Sequence, residues 1–187
     1  MTSPLGWPLR AALAAALVVA LAAGQQPAAA TDAQDLGEQL PDAAELSQGL
    51  FPEDECEELK RAGFKCMGFR HAVRYSLPGA SFRVGSADLP ELLRRQLDVF
   101  AAALSGKTGA GKLLRVEGHA DASGPADLNQ ALSQRRAEAV KHYLVDKGAD
   151  PAMLEAVGMG SKAPKNERDP YSAVNRRVEI GRQLPAN

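Results

Sequence analysis

The chain has 187 residues, 22 Lys+Arg against 23 Asp+Glu and a formal charge of −1, which accommodates one domain with extensions. The near-neutral balance argues against a nucleic-acid binder, which carries a basic stripe or domain. Two cysteines cannot build a four-cysteine zinc site, and three scattered histidines (His71, His119 and His142) argue against a buried metal centre, so neither metal nor cofactor is expected.

Residues 1–30 read as an address. Ala11–Ala23 is an unbroken apolar run behind Arg10. It has the length of a signal-peptide core and falls short of the ~20 residues that span a bilayer. Ala28-Ala29-Ala30 offers a small-residue cleavage site. The expectation is a cleaved signal over 1–30 and an exported mature chain with no membrane span. Residues 31–50 hold five acids and no base and read as a solvated acidic linker. Residues 51–77 read as an N-terminal extension folding back on the main domain, with a short helix in EDECEELKRAG stopped by Gly63. Export permits a disulfide, and Cys56 is expected to pair with Cys66.

From residue 78 the pattern is regular. Ser81–Val84 predicts a strand closed by Gly85. Asp88 is placed as N-cap of a helix carrying Leu89, Leu92, Leu93, Leu97, Phe100 and Leu104 at helical spacing. Leu113–Glu117 predicts a strand, 118–125 a loop, 126–147 a long helix stopped by Gly148, Leu154–Val157 a strand, 158–173 a loop and Val174–Arg182 a final strand. Helices alternating with strands indicate an α/β fold, a β-α-β-α-β-β sandwich with helices packed on one face of a small mixed sheet.

Two motifs are decoys. Residues 106–112, GKTGAGK, match the first seven positions of a phosphate-binding loop, but Leu113 stands where Ser or Thr must ligate magnesium. The loop also runs from helix to strand, the reverse of what anion binding at a helix N-terminus requires. His119, Asp121 and Ser123 supply triad residue types, but so short a stretch at a strand end cannot converge His on Ser and orient it from behind. No nucleophile elbow is present, so an enzyme is not expected.

The long helix carries the more informative pattern. At about 100° per residue from Leu128, an apolar arc runs through Leu132, Ala139, Tyr143, Val140 and Leu144. Asn129, Ser133 and Arg136 fall inside that arc, with Gln134, Ala137 and Glu138 on the solvent side. A guanidinium there cannot shed its proton and needs an anionic or carbonyl partner. Asp121 follows a strand C-terminus, where ligands of open α/β sheets bind. Asp121 and Arg136 either pair with each other or converge on a zwitterion, the carboxylate taking an ammonium and the guanidinium a carboxylate.

The segments VEGHADASGPADLNQALSQRRAEAV, VGMG and NRRVEI resemble the OmpA-like peptidoglycan-binding family of OmpA, Pal and MotB C-terminal domains, over about residues 78–182. The resemblance implies that Asp121 and Arg136 bind diaminopimelate of the peptidoglycan stem peptide, that Asn129 lines the pocket and that Arg176 lies near the ligand. Family members often have Thr where Ala120 stands, and Ser86 is the candidate polar contact in the preceding loop. The domain expected from the resemblance is 78–187. It implies non-covalent peptidoglycan binding in the periplasm, cell-wall associated and at the outer membrane. The alternative is an envelope scaffold that keeps the fold and recruits other envelope proteins through residues 31–77.

Overall fold

The computed structural model describes residues 33–65, 71–78, 82–83, 85–109 and 112–183. The signal-peptide reading over 1–30, and Cys66 with it the Cys56–Cys66 pairing, lie outside the described residues. Among the described residues, no helix is long and apolar enough to cross a membrane.

The elements are β1 (Gln34–Asp35), α1 (Ala43–Leu50), α2 (Pro52–Arg61), β2 (Tyr75–Pro78), α3 (Glu91–Leu104), β3 (Leu114–His119), α4 (Ala126–Asp146), β4 (Leu154–Gly158) and β5 (Arg177–Arg182). They form an α/β fold on one open five-stranded sheet of order β1-β2-β5-β3-β4. The sheet is mixed: β1 with β2 and β3 with β4 are parallel, whereas β5 runs antiparallel to β2 and β3. Helix α4 packs on β3 and β4, α3 packs on α4, and α1 packs on α3. Leu77, Leu97, Phe100, Val116, Val140, Leu144, Val178 and Ile180 are among the buried core residues between sheet and helices.

The described part of the acidic segment, residues 33–50, is not a solvated linker. Leu36 follows a strand paired with β2, and Leu46 and Leu50, four residues apart on α1, are fully buried. Asp42 caps α1 by accepting from the amides of Ala44 and Glu45. The described acids of this segment, Asp35, Glu38, Asp42 and Glu45, are all exposed, but only Glu45 lies on α1 itself and Asp42 at its cap. Averaged composition conceals the two leucines that dock it.

The sheet's early strand is also displaced from expectation. Tyr75–Pro78 occupies the place assigned to Ser81–Val84. Phe82 and Arg83 belong to no strand, and Ser81 and Val84 lie outside the described residues. Tyr75 and Leu77 bury their side chains, and Tyr75 meets Phe100 edge-on at 5.8 Å between centroids. Asp88 does not cap α3: Pro90 holds that position, and the Asp88 carboxylate pairs with Arg83 at 2.8 Å. The last strand begins at Arg177, because residues 173–175 form a single tight turn instead.

Helix α4 lies closer to the sheet than its sequence suggests. A Cβ on Gly118 would stand 2.1 Å from the carbonyl oxygen of Ser133, and one on Gly158 would stand 2.5 Å from the amide nitrogen of Gln134. Two glycines therefore let helix backbone rest on strand backbone. This rotates the buried face away from the predicted arc. Leu128 is 61% exposed, whereas Ala137, assigned to solvent, is fully buried. Gln134 is not simply solvent-facing either. Its side chain bonds the Ala156 carbonyl and the Gly158 amide, while Gln130 bonds the Gly158 carbonyl. These amides seal part of the free edge of β4, which would otherwise be open to strand pairing.

Two substitutions test this packing by chemical denaturation. Leu46→Ala is expected to cost ~3 kcal/mol, in the range for emptying a buried leucine site. An unchanged midpoint would return the segment to the status of a linker. Gly118→Ala is expected to cost ~3 kcal/mol through a clash with helix backbone that no rotamer relieves.

Candidate functional site

Strand β3 delivers the chain to the site. After His119, the Ala120 amide bonds the Gly160 carbonyl at 2.8 Å, which ties the loop to the turn behind β4. Asp121 then begins the loop into α4. The Ser123 amide donates to its Oδ1 at 3.1 Å. Asn129, on the first turn of α4, donates through Nδ2 to the carbonyls of Asp121 (2.9 Å) and Gly124 (3.0 Å). Both amide hydrogens are thus committed to the loop, so Asn129 builds the site's backbone. Ser133 does the same at the neighbouring turn: its hydroxyl donates to Gln130 O and accepts from the Gly160 amide.

Arg136 is 1% exposed, the largest fully buried side chain among the described residues. Its guanidinium stacks on the Phe82 ring at 4.6 Å, and its Nε donates to the Ser86 carbonyl at 3.1 Å. Its Nη1 is buried with no partner among the described residues. Burial first, and then the positive charge of Arg176, pull the Arg136 pKa below its ordinary value, against an opposing pull from Asp121. The group remains cationic, since a guanidinium does not deprotonate in a protein.

No ion pair joins Asp121 to Arg136. Asp121 pairs instead with Arg176, whose Nη1 lies 2.7 Å from Oδ2. Burial alone would raise the Asp121 pKa, but the bonds from Arg176 and Ser123 outweigh it and hold the carboxyl below its usual value. Asp121, Asn129, Arg136 and Arg176 are thus drawn into one region, with two guanidiniums around one carboxylate. Ser86 participates through its carbonyl, not its hydroxyl. Phe82 is a site residue that the sequence pattern does not reveal. Its one signal is an aromatic in the segment ahead of α3, and spacing alone cannot aim that ring at Arg136.

The decoy motifs find other uses. Lys107 and Lys112 of the glycine-rich loop both pair with Asp54 of α2, and both lie over the Phe51 ring. Arg182 shares that ring and pairs with Glu53. This loop clasps α2 to the end of the sheet. His119 is buried in a charge layer on the sheet face opposite α4. There Glu117, His119 and Glu179 bring one ligand-type atom each within 4.8 Å of one another. Both carboxylates are engaged by arginines, Glu117 with Arg74 and Glu179 with Arg177, each at 2.6 Å. Adding a divalent cation to a layer already balanced by guanidiniums would be electrostatically unfavourable. Burial, followed by the charge of Arg177, lowers the His119 pKa from 6.5 to about 4.

A family model described as the OmpA family matches residues 81–177. The chain belongs to the OmpA family. It is 44% identical over 101 residues to a peptidoglycan-associated lipoprotein of Pseudomonas aeruginosa, covering 53% of this chain and 58% of that protein. It is 48% identical over 75 residues to outer membrane porin F of Pseudomonas fluorescens, covering 39% of this chain and 23% of that protein. The chain thus spans at most somewhat over half the length of these relatives. Among solved structures it is similar to the periplasmic domain of Helicobacter pylori MotB, with a TM-score of 0.51 at 22% identity over 61% of this chain and 83% of that one, a likeness of fold.

Two outcomes follow from the site's geometry. Asn129→Ala strands two loop carbonyls and is expected to cost about 1–2 kcal/mol in thermal or chemical unfolding. His119 has a folded pKa below its unfolded one, so the unfolded chain binds the extra proton. Its contribution to stability is complete above about pH 6.5 and drains away as pH falls toward 4. A His119→Phe variant that keeps the same unfolding pH profile between 7 and 4 would show that His119 is not the titrating group.

Proposed function

We propose that this chain binds peptidoglycan non-covalently in the periplasm, at the outer membrane side of the cell envelope, and that it recognises the diaminopimelate residue of the stem peptide. The observation that carries this reading is the Arg136 guanidinium, buried on Phe82 with Nη1 unpartnered among the described residues and within electrostatic reach of an ionised Asp121. An unsatisfied buried charged donor is costly to maintain unless something completes its bonding. Membership of the OmpA family, and relatives named for peptidoglycan association, support the choice of polymer.

The mechanism is capture, not catalysis. Arg136 offers Nη1 to a ligand carboxylate, and its stacking on Phe82 fixes the plane in which that carboxylate approaches. Asp121 offers a carboxylate to the ligand ammonium. Asn129 holds the loop that presents Asp121, and Arg176 stands beside it. A few charged hydrogen bonds of about 1.5–3 kcal/mol each make single-site affinity modest. Retention on a wall then comes from many sites along one polymer.

Recruitment of an envelope partner through residues 31–77 is the weaker reading. Leu36, Leu46, Leu50, Phe51, Tyr75 and Leu77 of that segment are core residues and Glu53 and Asp54 are held in ion pairs, which leaves Glu55, Glu57 and Glu58 as the exposed acids of α2, with Phe64 exposed after it.

The test is co-sedimentation with purified sacculi, after circular dichroism has shown that each variant is folded. Wild type is expected in the pellet. Asp121→Ala and Arg136→Met are each expected to bind about tenfold more weakly or worse. Sacculi whose diaminopimelate carboxylate is amidated should retain less wild-type protein. Equal retention of amidated and unmodified sacculi would mean that Arg136 does not read the ligand carboxylate.

A further inference from the structure

We propose that Arg176 is a built-in counter-ion of Asp121, a positioning residue that the ligand's ammonium must displace, so that recognition at this site is an exchange of cations. The inference rests on the peptidoglycan reading above and adds to it the event that sets affinity.

Each oxygen of Asp121 already accepts a hydrogen bond, Oδ2 from Arg176 at 2.7 Å and Oδ1 from the Ser123 amide at 3.1 Å. With the ligand's own carboxylate taken by Arg136, an ammonium arriving with Arg176 still in place would share the single Asp121 carboxylate with a guanidinium already bonded to it. At separations of a few ångströms the repulsion between two such cations is not negligible, even at the effective dielectric of a partly exposed site. One guanidinium has to move.

The structure distinguishes which. Arg136 is wedged inside the fold, stacked on Phe82 and bonded to Ser86 O, with 1% exposure. The Arg176 side chain is 29% exposed and, among the described residues, makes its side-chain bond to Asp121 alone. The backbone beneath it is held. Asn175 is fully buried, donates through Nδ2 to Asp169 O at 2.9 Å and accepts from the Asn166 amide at 2.9 Å. An anchored turn carrying a long, partly solvated side chain is a hinge built at the side-chain level. Arg176 leaves Asp121 without disturbing the fold.

The exchange discriminates between ligands. A molecule bearing only carboxylates meets Arg136 without disturbing the Asp121–Arg176 pair. A molecule bearing an ammonium beside its carboxylate has to break that pair first. Arg176 therefore lowers the affinity for the ammonium group while holding the Asp121 carboxylate ionised.

Calorimetric titration at low salt tests this with two probes, meso-diaminopimelate and pimelate, which has the same carbon chain and no amine. Arg176→Gln is expected to bind meso-diaminopimelate about threefold or more tightly than wild type, the scale of removing one partly exposed ion-pair competitor. The same variant should bind pimelate no more tightly than wild type. In the wild-type protein, the Arg176 guanidinium resonance should shift on addition of meso-diaminopimelate and stay in place with pimelate; this reading needs no variant to fold. Weaker binding of meso-diaminopimelate by Arg176→Gln, or an unmoved Arg176 resonance in wild type that does bind, overturns the exchange and leaves the peptidoglycan reading standing. Wild type that binds neither meso-diaminopimelate nor sacculi overturns the peptidoglycan reading itself, and the exchange with it.

Discussion

Backbone of α4 rests directly on backbone of β3 and β4, and the organisation of the site follows from that contact. Gly118 and Gly158 stand opposite each other in the β3–β4 register, and a Cβ on either would collide with the helix main chain. At so short a distance no large apolar side chain fits between helix and sheet. The buried face of α4 is consequently made of Asn129, Ser133, Arg136 and Ala137, with Val140 and Leu144 taking over where the gap widens. The polar side chains there are not exceptions within an apolar arc. They are the arc at this end of the helix, and each bonds neighbouring backbone, Arg136 through Nε alone.

The electrostatics of the site grow from the same packing. Asn129 draws the Asp121 loop over the start of α4, and the turn ending at Asn175 brings Arg176 to the other side of the carboxylate. Arg136 cannot leave, Arg176 can, and Asp121 stays charged between them. Rigid and adjustable cations thus have separate structural supports, one an aromatic ring inside the fold and the other a bonded turn at its surface. On the opposite sheet face, guanidiniums and carboxylates neutralise one another, and burial keeps His119 uncharged at neutral pH. The two faces use the same residue types for different ends. One pairs its carboxylates with guanidiniums, and the other leaves a buried guanidinium nitrogen without a partner among the described residues.

The early segment completes the same packing. β1 and β2 extend the sheet beside β5, and α1 closes the core over α3. The clasp of Lys107, Lys112 and Arg182 around Phe51, with Asp54 and Glu53 as counter-ions, joins α2 to the far end of the sheet. What reads along the chain as a phosphate-binding loop is a basic turn whose two lysines share one acid, Asp54, more than fifty residues earlier.

Period and punctuation, both local properties, made α3, β3, α4 and β4 legible in the sequence, together with the α/β class. Gly148 and Pro151 bracket β4's approach, and leucines at helical spacing mark α3. Residue chemistry also made it legible that Arg136 needs a partner, because a guanidinium amid apolar positions has no way to become neutral. Three matters were decided only in the folded chain. Leu46 and Leu50 belong to the core although their segment is acidic, because burial depends on which face meets α3 and not on average composition. The buried face of α4 is turned toward Ala137 and away from Leu128, because glycines on two strands set how closely the helix docks. Asp121 pairs with Arg176 and not with Arg136, because a residue 55 positions away arrives at the carboxylate through the antiparallel return of β5 beside β3. Local pattern carries the identity of each element and the needs of each side chain. Which distant group meets those needs is set by sheet order and register, which no window of neighbouring residues contains.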